Sequence, residues 1–231
     1  MGLFDAFRKS PREKRAEEAH KRALKEDMEV YSGMRVEATS EDGRVFFVAR
    51  LLELRGDRAQ LEPGADGSLM TRSDEPVKVT LRGYSSKEGR AVSMECDVRV
   101  GAGKLWQVEN LTLLDPQGEH RANVRVETDL SGSFVPDGRP GVPEESCRVE
   151  NMGMGGVCLS TQARRDVGDK LRLRLERLLE LGGAPLTCQI LRIDARKAGS
   201  FVYGCRFLDV DEETERRLFR AMFALYHGLY G

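Results

Sequence analysis

Between positions 34 and 114 the chain runs in short stretches rich in Val, Phe, Leu and Thr, interrupted by glycine-bearing turns. The pattern is plainest where Val77, Val79 and Leu81 alternate with Lys78, Thr80 and Arg82. A two-residue period gives a strand one apolar and one wet face. Strands are predicted over 35–39, 44–53, 58–62, 76–82, 91–100 and 105–114, separated by turns at 41–43, 55–57, 86–89 and 101–103. Together they define a β domain over 30–115. Trp106, the only tryptophan, falls in its last strand and is expected in the core or at a domain interface.

Asp115-Pro116-Gln117-Gly118 has the composition of a turn between domains. A second β pattern follows over 116–231. Strands are predicted at 121–128, 147–151, 156–161, 169–178, 186–195 and 201–210. The segment 130–143, with three glycines and three prolines, reads as a loop or an irregular hairpin. Leu171, Leu173 and Leu175 alternate with Arg172, Arg174 and Glu176, which marks a half-buried strand. About six strands this short are best closed into a small barrel, because closure removes the exposed edges.

A final helix is announced by Asp211, Glu212 and Glu213, whose charges favour a helix N-terminus. Leu218, Met222, Leu225 and Leu229 form one helical stripe, and Phe219, Phe223, Tyr226 and Tyr230 a second. An extended core under this helix is the expectation. At the other end, Ser10-Pro11-Arg12-Glu13 has the form of a capped helix start. The helix expected over 11–27 is charged nearly all round, so residues 1–29 read as a solvated helical extension. The predicted fold is therefore mainly β: two barrel domains with an N-terminal and a C-terminal helix.

Charge narrows the function. The 231 residues carry a formal net charge of −1 with 32% charged side chains, so no global field attracts DNA or RNA. No apolar run approaches the roughly 20 residues that span a bilayer, and the N-terminus lacks a signal-peptide core; a cytoplasmic protein without a membrane span is expected. The five cysteines show no C-x-x-C spacing, and the three histidines, His20, His120 and His227, show no metal-ligand spacing. Buried thiols, no metal and no cofactor are expected. Gly153-x-Gly155 is followed by Cys158 where a dinucleotide fingerprint needs glycine. No catalytic constellation appears, so the chain is not read as an enzyme.

The candidate chemistry lies between Glu119 and Gly156. Arg121 and Arg125 stand four residues apart ahead of a strand, and Asn151-Met152-Gly153-Met154-Gly155-Gly156 forms a glycine turn 26 positions later. The same arginine spacing recurs at Arg8 with Arg12, Arg192 with Arg196 and Arg216 with Arg220. Only Arg121 and Arg125 stand at a domain junction. On the residues alone two readings are open: a site for a phosphate-bearing guanine ligand, or outward arginines of an edge strand beside a tight turn.

This arrangement resembles the PilZ domain, a bacterial receptor module for cyclic di-GMP, which pairs an R-x-x-x-R entry segment with a [D/N]-x-S-x-x-G turn on a six-stranded barrel closed by a C-terminal helix. Tyr203-Gly204-Cys205-Arg206-Phe207 resembles that family's final strand. The domain over 30–115 resembles the split-barrel N-terminal domain of YcgR-type flagellar brake proteins. The resemblance implies that Arg121 and Arg125 grip guanine and phosphate, which suits guanidinium geometry. It implies that Asn151 bonds a second guanine, with Gly153 and Gly156 in the same turn and His120 as an accessory group. A protein partner such as a flagellar motor component, and control of motility or surface attachment, are implied in the same way. A degenerate PilZ-like interaction module that binds no nucleotide is the alternative. Gly153 stands where the family has serine; the missing hydroxyl bond is worth about 0.5–1.5 kcal/mol, so Gly153→Ser is expected to tighten binding.

Overall fold

A computed structural model describes residues 30–64, 75–85, 90–100, 104–114, 122–139, 141–195 and 199–229. The predicted helix at 11–27 lies outside them. By internal contacts these residues divide into two compact units, the second taking in 42–48 and Gly64 as well as the described residues from 123 onward.

The first barrel consists of β1 (Met34–Ser40), β2 (Phe46–Arg55), β3 (Arg58–Pro63), β4 (Val77–Tyr84), β5 (Ala91–Arg99) and β6 (Trp106–Leu113). It is closed, in the order β1-β2-β3-β6-β5-β4. Alternation explains its core: Val79 and Leu81 of β4 point inward with Val92, Met94 and Val98 of β5, all nearly inaccessible to solvent. Burying each such side chain contributes about 1.5–3 kcal/mol. Trp106 is buried opposite Leu61.

The second barrel consists of β7 (Val126–Pro136), β8 (Glu145–Gly153), β9 (Gly156–Thr161), β10 (Lys170–Arg174), β11 (Leu186–Ala195) and β12 (Phe201–Phe207). Its cyclic order β7-β8-β9-β12-β11-β10 repeats that of the first barrel strand for strand. Leu130, Phe134, Val149, Leu159, Leu171 and Tyr203 fill its interior.

Helix α1 (Glu212–Tyr226) packs Leu218, Met222 and Leu225 into this core. Asp211 caps it by accepting a bond from the Thr214 amide at 2.8 Å. Gly228, at φ 68°, ends it in the left-handed conformation, with the Leu229 amide bonding the Ala224 carbonyl. The predicted stripe stops short: Leu229 lies beyond this end and is exposed.

Of the two readings of 130–143 the irregular hairpin holds, since β7 runs to Pro136 and pairs with β8 with a register shift between Glu127 and Leu130. Gly132 lies within β7: a β-carbon there would come within 2.8 Å of Leu175 Cδ2 and 2.9 Å of the Arg174 carbonyl, so this glycine is a packing requirement inside a strand. Two further expectations need correction. The strand predicted from 121 begins at Val126, leaving residues 122–125 as irregular entry. The strand predicted over 169–178 ends at Arg174, because the chain then turns to bury Leu178 and Leu181 around a short 3-10 turn, Leu179–Leu181.

Candidate functional site

β8 and β9 form a hairpin in which Gly153 pairs with Gly156 across a two-residue turn, Met154-Gly155. Asn151 therefore stands within a strand, two residues before the turn. The entry segment to β7 lies directly on this hairpin. A β-carbon built on Gly153 would be 2.5 Å from the Val124 carbonyl oxygen and 3.6 Å from Arg125 Cγ, and one on Gly155 would be 3.4 Å from Asn123 Oδ1. The two halves of the sequence motif, separated by 26 positions, are thus in contact. Arg125 is exposed there, and Asn151 is half-buried.

Gly153 lies under close backbone contact. Any side chain at 153 must push back the backbone that carries Arg125, which changes the expectation for Gly153→Ser. Gly156 is constrained too, since a β-carbon on it would fall 2.2 Å from the Cys205 carbonyl oxygen. The close contact that Gly156 permits is with β12 of the same barrel.

Asn151 owes its direction to a bulge. Val149 pairs with Leu159 and Asn151 with Cys158, so Glu150 is the extra residue. Without it the carboxylate of Glu150 would stand opposite Cys158; the bulge exchanges it for a neutral amide. Cys158 pairs in turn with Gly204 of β12. Asn151, Cys158 and Gly204 thus form one cross-strand row. Because their neighbours Met152, Leu159 and Tyr203 point inward, the row is on the outer face. Burial raises the Cys158 pKa and Glu150 adds to the rise, while Arg192 and Arg125 oppose it.

Below the row the support is hydrogen-bonded. The Tyr203 hydroxyl, on a fully buried ring, accepts from the Arg165 amide at 2.7 Å and donates to the Ala163 carbonyl at 2.8 Å. The Arg165 guanidinium pairs with Glu145. All five cysteines are free and buried, and burial pushes the thiols of Cys96 and Cys147 up to about 12. Such thiols stay protonated and unreactive at neutral pH. Among the described residues no group of three or more His, Cys, Asp or Glu could hold a metal ion, and no helix is long and apolar enough to cross a membrane.

Of the residues singled out in the sequence, Arg125, Asn151, Gly153 and Gly156 therefore meet at one place. His120 and Arg121 lie outside the described residues.

Comparison with known protein families finds that residues 119–224 match the PilZ domain. A search of curated proteins finds no match. Among solved structures the chain is similar to YcgR from Escherichia coli in complex with c-di-GMP, at 14% identity and a TM-score of 0.38, over 92% of this chain and 90% of that one. It is similar to the Bacillus subtilis inhibitor of motility MotI/DgrA, at 13% identity and a TM-score of 0.38, over 87% and 99%. A third structure, the K. pneumonia MrkH–c-di-GMP complex, aligns at 9% identity and a TM-score of 0.40, over 96% of each chain.

Proposed function

We propose that this chain is a receptor for cyclic di-GMP that seats its ligand on the outer face of the second barrel, a reading supported by the match of residues 119–224 to the PilZ domain. The observation that supports this most is the contact between the 122–125 segment and the β8–β9 hairpin, which puts Arg125 beside the end of the strand that carries Asn151. A guanidinium can pair bidentately with a phosphate or with the O6 and N7 edge of guanine. An amide such as that of Asn151 offers both a donor and an acceptor to a base edge. On this reading Arg125, with Arg121 ahead of it, grips phosphate and guanine, His120 assists, and Asn151 orients a base. Gly153 and Gly156 keep the floor of the site free of side chains.

The ligand's effect follows from linkage. A ligand shifts a conformational equilibrium only by its differential affinity for the states, so the 122–125 segment must hold a different position when its arginine is engaged. The output of the shift is contact with a protein partner in the cytoplasm, with motility or surface attachment as the process controlled. The chain is a receptor on this reading, not a catalyst.

One observation favours a second reading. The Val124 carbonyl occupies the space over Gly153 that a serine side chain would fill, as expected of a module that docks on a protein without nucleotide. Titration calorimetry with cyclic di-GMP decides between the two. The receptor reading expects saturable heat that Arg125→Ala and Asn151→Ala each reduce. Absence of heat at high micromolar ligand favours the nucleotide-free module.

A further inference from the structure

We infer that Arg192 is an additional arginine of the ligand site, standing at the far end of the cross-strand row from Asn151 and pairing with a phosphate of the same bound dinucleotide. The inference rests on the receptor reading above and extends its residue set to a strand outside the recognised motif.

Two bulges carry it. On β11, Ile190 pairs with Cys205 of β12 and Arg192 pairs with Gly204, so Leu191 is the extra residue. In an unbroken ladder Leu191 would stand opposite Gly204; the bulge exchanges an aliphatic side chain for a guanidinium. The bulge on β8 makes the matching exchange at the other end, replacing Glu150 by Asn151. The resulting row, Asn151–Cys158–Gly204–Arg192, crosses four adjacent strands. Neighbouring strands are about 4.8 Å apart, so its ends lie roughly 14 Å apart along the sheet. Bulges re-aim side chains: the one on β8 sets a neutral amide opposite Cys158, with Glu150 still close enough to raise that thiol, and the one on β11 sets a cation opposite Gly204.

Gly204 allows the arginine to be used. A β-carbon at 204 would lie 2.7 Å from Arg192 Nε and 2.8 Å from its Cγ, so the Arg192 side chain lies flat across the glycine, back toward Cys158. Cys158 feels positive charge from both Arg192 and Arg125. Two guanidinium groups, one on the entry segment to β7 and one on β11, therefore approach the same point on the outer face. The Arg192 side chain is exposed and, among the described residues, has no side-chain hydrogen bond or ion pair. Arg206, two residues along β12, is by contrast held by Gln189 Oε1 at 2.7 Å and 3.2 Å. A cyclic dinucleotide carries two phosphates, and an unengaged arginine stretched toward the motif matches the second charge.

The test uses the full chain and titration calorimetry with cyclic di-GMP at two salt concentrations. Arg192→Ala is expected to weaken binding about tenfold and to flatten the dependence of affinity on salt, since one charge pair is gone. Gly204→Ala retains the arginine but displaces it, and is expected to weaken binding by a similar factor. Arg192→Lys is expected to restore part of the salt dependence without the full affinity. If Arg125→Ala loses affinity while Arg192→Ala and Gly204→Ala bind as the parent chain does, the assignment of Arg192 is overturned and the receptor reading stands. If the parent chain binds no cyclic di-GMP, both are overturned.

Discussion

The two barrels share one topology and differ in what that topology exposes. Each runs as a three-strand meander, a crossover and a second meander whose last strand pairs with the third. In each, a two-residue turn joins the second and third strands, Arg55-Gly56-Asp57-Arg58 in the first barrel and Gly153-Met154-Gly155-Gly156 in the second. Three residues past the turn a buried leucine faces a buried aromatic, Leu61 with Trp106 and Leu159 with Tyr203. The interiors thus solve the same packing problem alike.

The outer faces diverge. The row Asn151–Cys158–Gly204–Arg192 corresponds in the first barrel to Leu52–Gln60–Gln107–Arg99. Both rows end in arginine. In the first barrel too a register shift, between Glu95 and Asp97, sets the arginine opposite its partner, Gln107, but a glutamine stands where Gly204 leaves room. The hairpin ends are arginines in the first barrel and glycines in the second. Register shifts occur on the corresponding strand pairs of both barrels, so neither topology nor bulges alone make the proposed site; the glycines that let backbone and side chains lie close distinguish it.

This comparison can be broken at several points. The largest effect is expected from Gly156→Ala, which sets a β-carbon against the Cys205 carbonyl. A cost of about 3 kcal/mol is expected for such overpacking, seen as a lower melting midpoint by calorimetry. Trp106, in the first barrel, serves as a separate fluorescent reporter; an equal shift in its transition would show that the two interiors do not respond separately. Next comes Arg125→Ala. Losing a charge-assisted contact of about 1.5–3 kcal/mol should weaken cyclic di-GMP binding roughly 10- to 100-fold, whereas Arg99→Ala in the first barrel should leave binding unchanged. Calorimetric titration of both variants tests whether only one of the two rows is used.

Tyr203→Phe removes the hydroxyl that bridges the Arg165 amide and the Ala163 carbonyl. Leaving both unpaired should cost about 1–2 kcal/mol, measurable by urea denaturation. Gly153→Ser sets an overpacking cost of about 1–3 kcal/mol against a hydroxyl bond of about 0.5–1.5 kcal/mol. A net destabilisation near 1 kcal/mol is expected from that difference, and thermal melting with and without ligand checks it. The smallest effect concerns the cap of α1. Bonds from the Thr214 hydroxyl and amide hold the Asp211 carboxyl below its ordinary pKa. A lowered folded-state pKa contributes stability above the ordinary carboxylate range and loses it as pH falls through the folded value. Asp211→Asn should accordingly flatten the fall in melting temperature as the pH drops below about 5, through the carboxylate range, relative to the parent chain.

Much of the fold was legible because strand alternation and helix stripes leave a direct imprint on sequence. Val77 to Arg82 and Leu171 to Arg174 announce their strands by period alone. The open readings and the failures have physical causes. Gly132 reads as a breaker by composition, but sits mid-strand because Leu175 and the Arg174 carbonyl press against it. Leu175 continues the alternation yet belongs to a turn, because Leu178 and Leu181 must also reach the core. For the site, Arg125, Asn151, Gly153 and Gly156 were visible as a spaced motif. Arg192 with Arg196 was visible only as one of several arginine pairs of equal spacing, because a bulge shifts register by one residue without any mark in composition. Gly204 stood in a recognisable strand, but the side chain that crosses it comes from elsewhere in the chain.

The central claim is that the outer face of the second barrel, and not its counterpart on the first, takes cyclic di-GMP. Glycine amides give well-separated signals in two-dimensional NMR of isotopically labelled protein, and glycines mark both barrels. On titration with cyclic di-GMP, the account predicts saturable shifts at Gly153, Gly155, Gly156 and Gly204, with Gly33, Gly56 and Gly83 unmoved. Shifts confined to the first barrel's glycines, or no shift at any glycine with ligand in high micromolar excess, would contradict it.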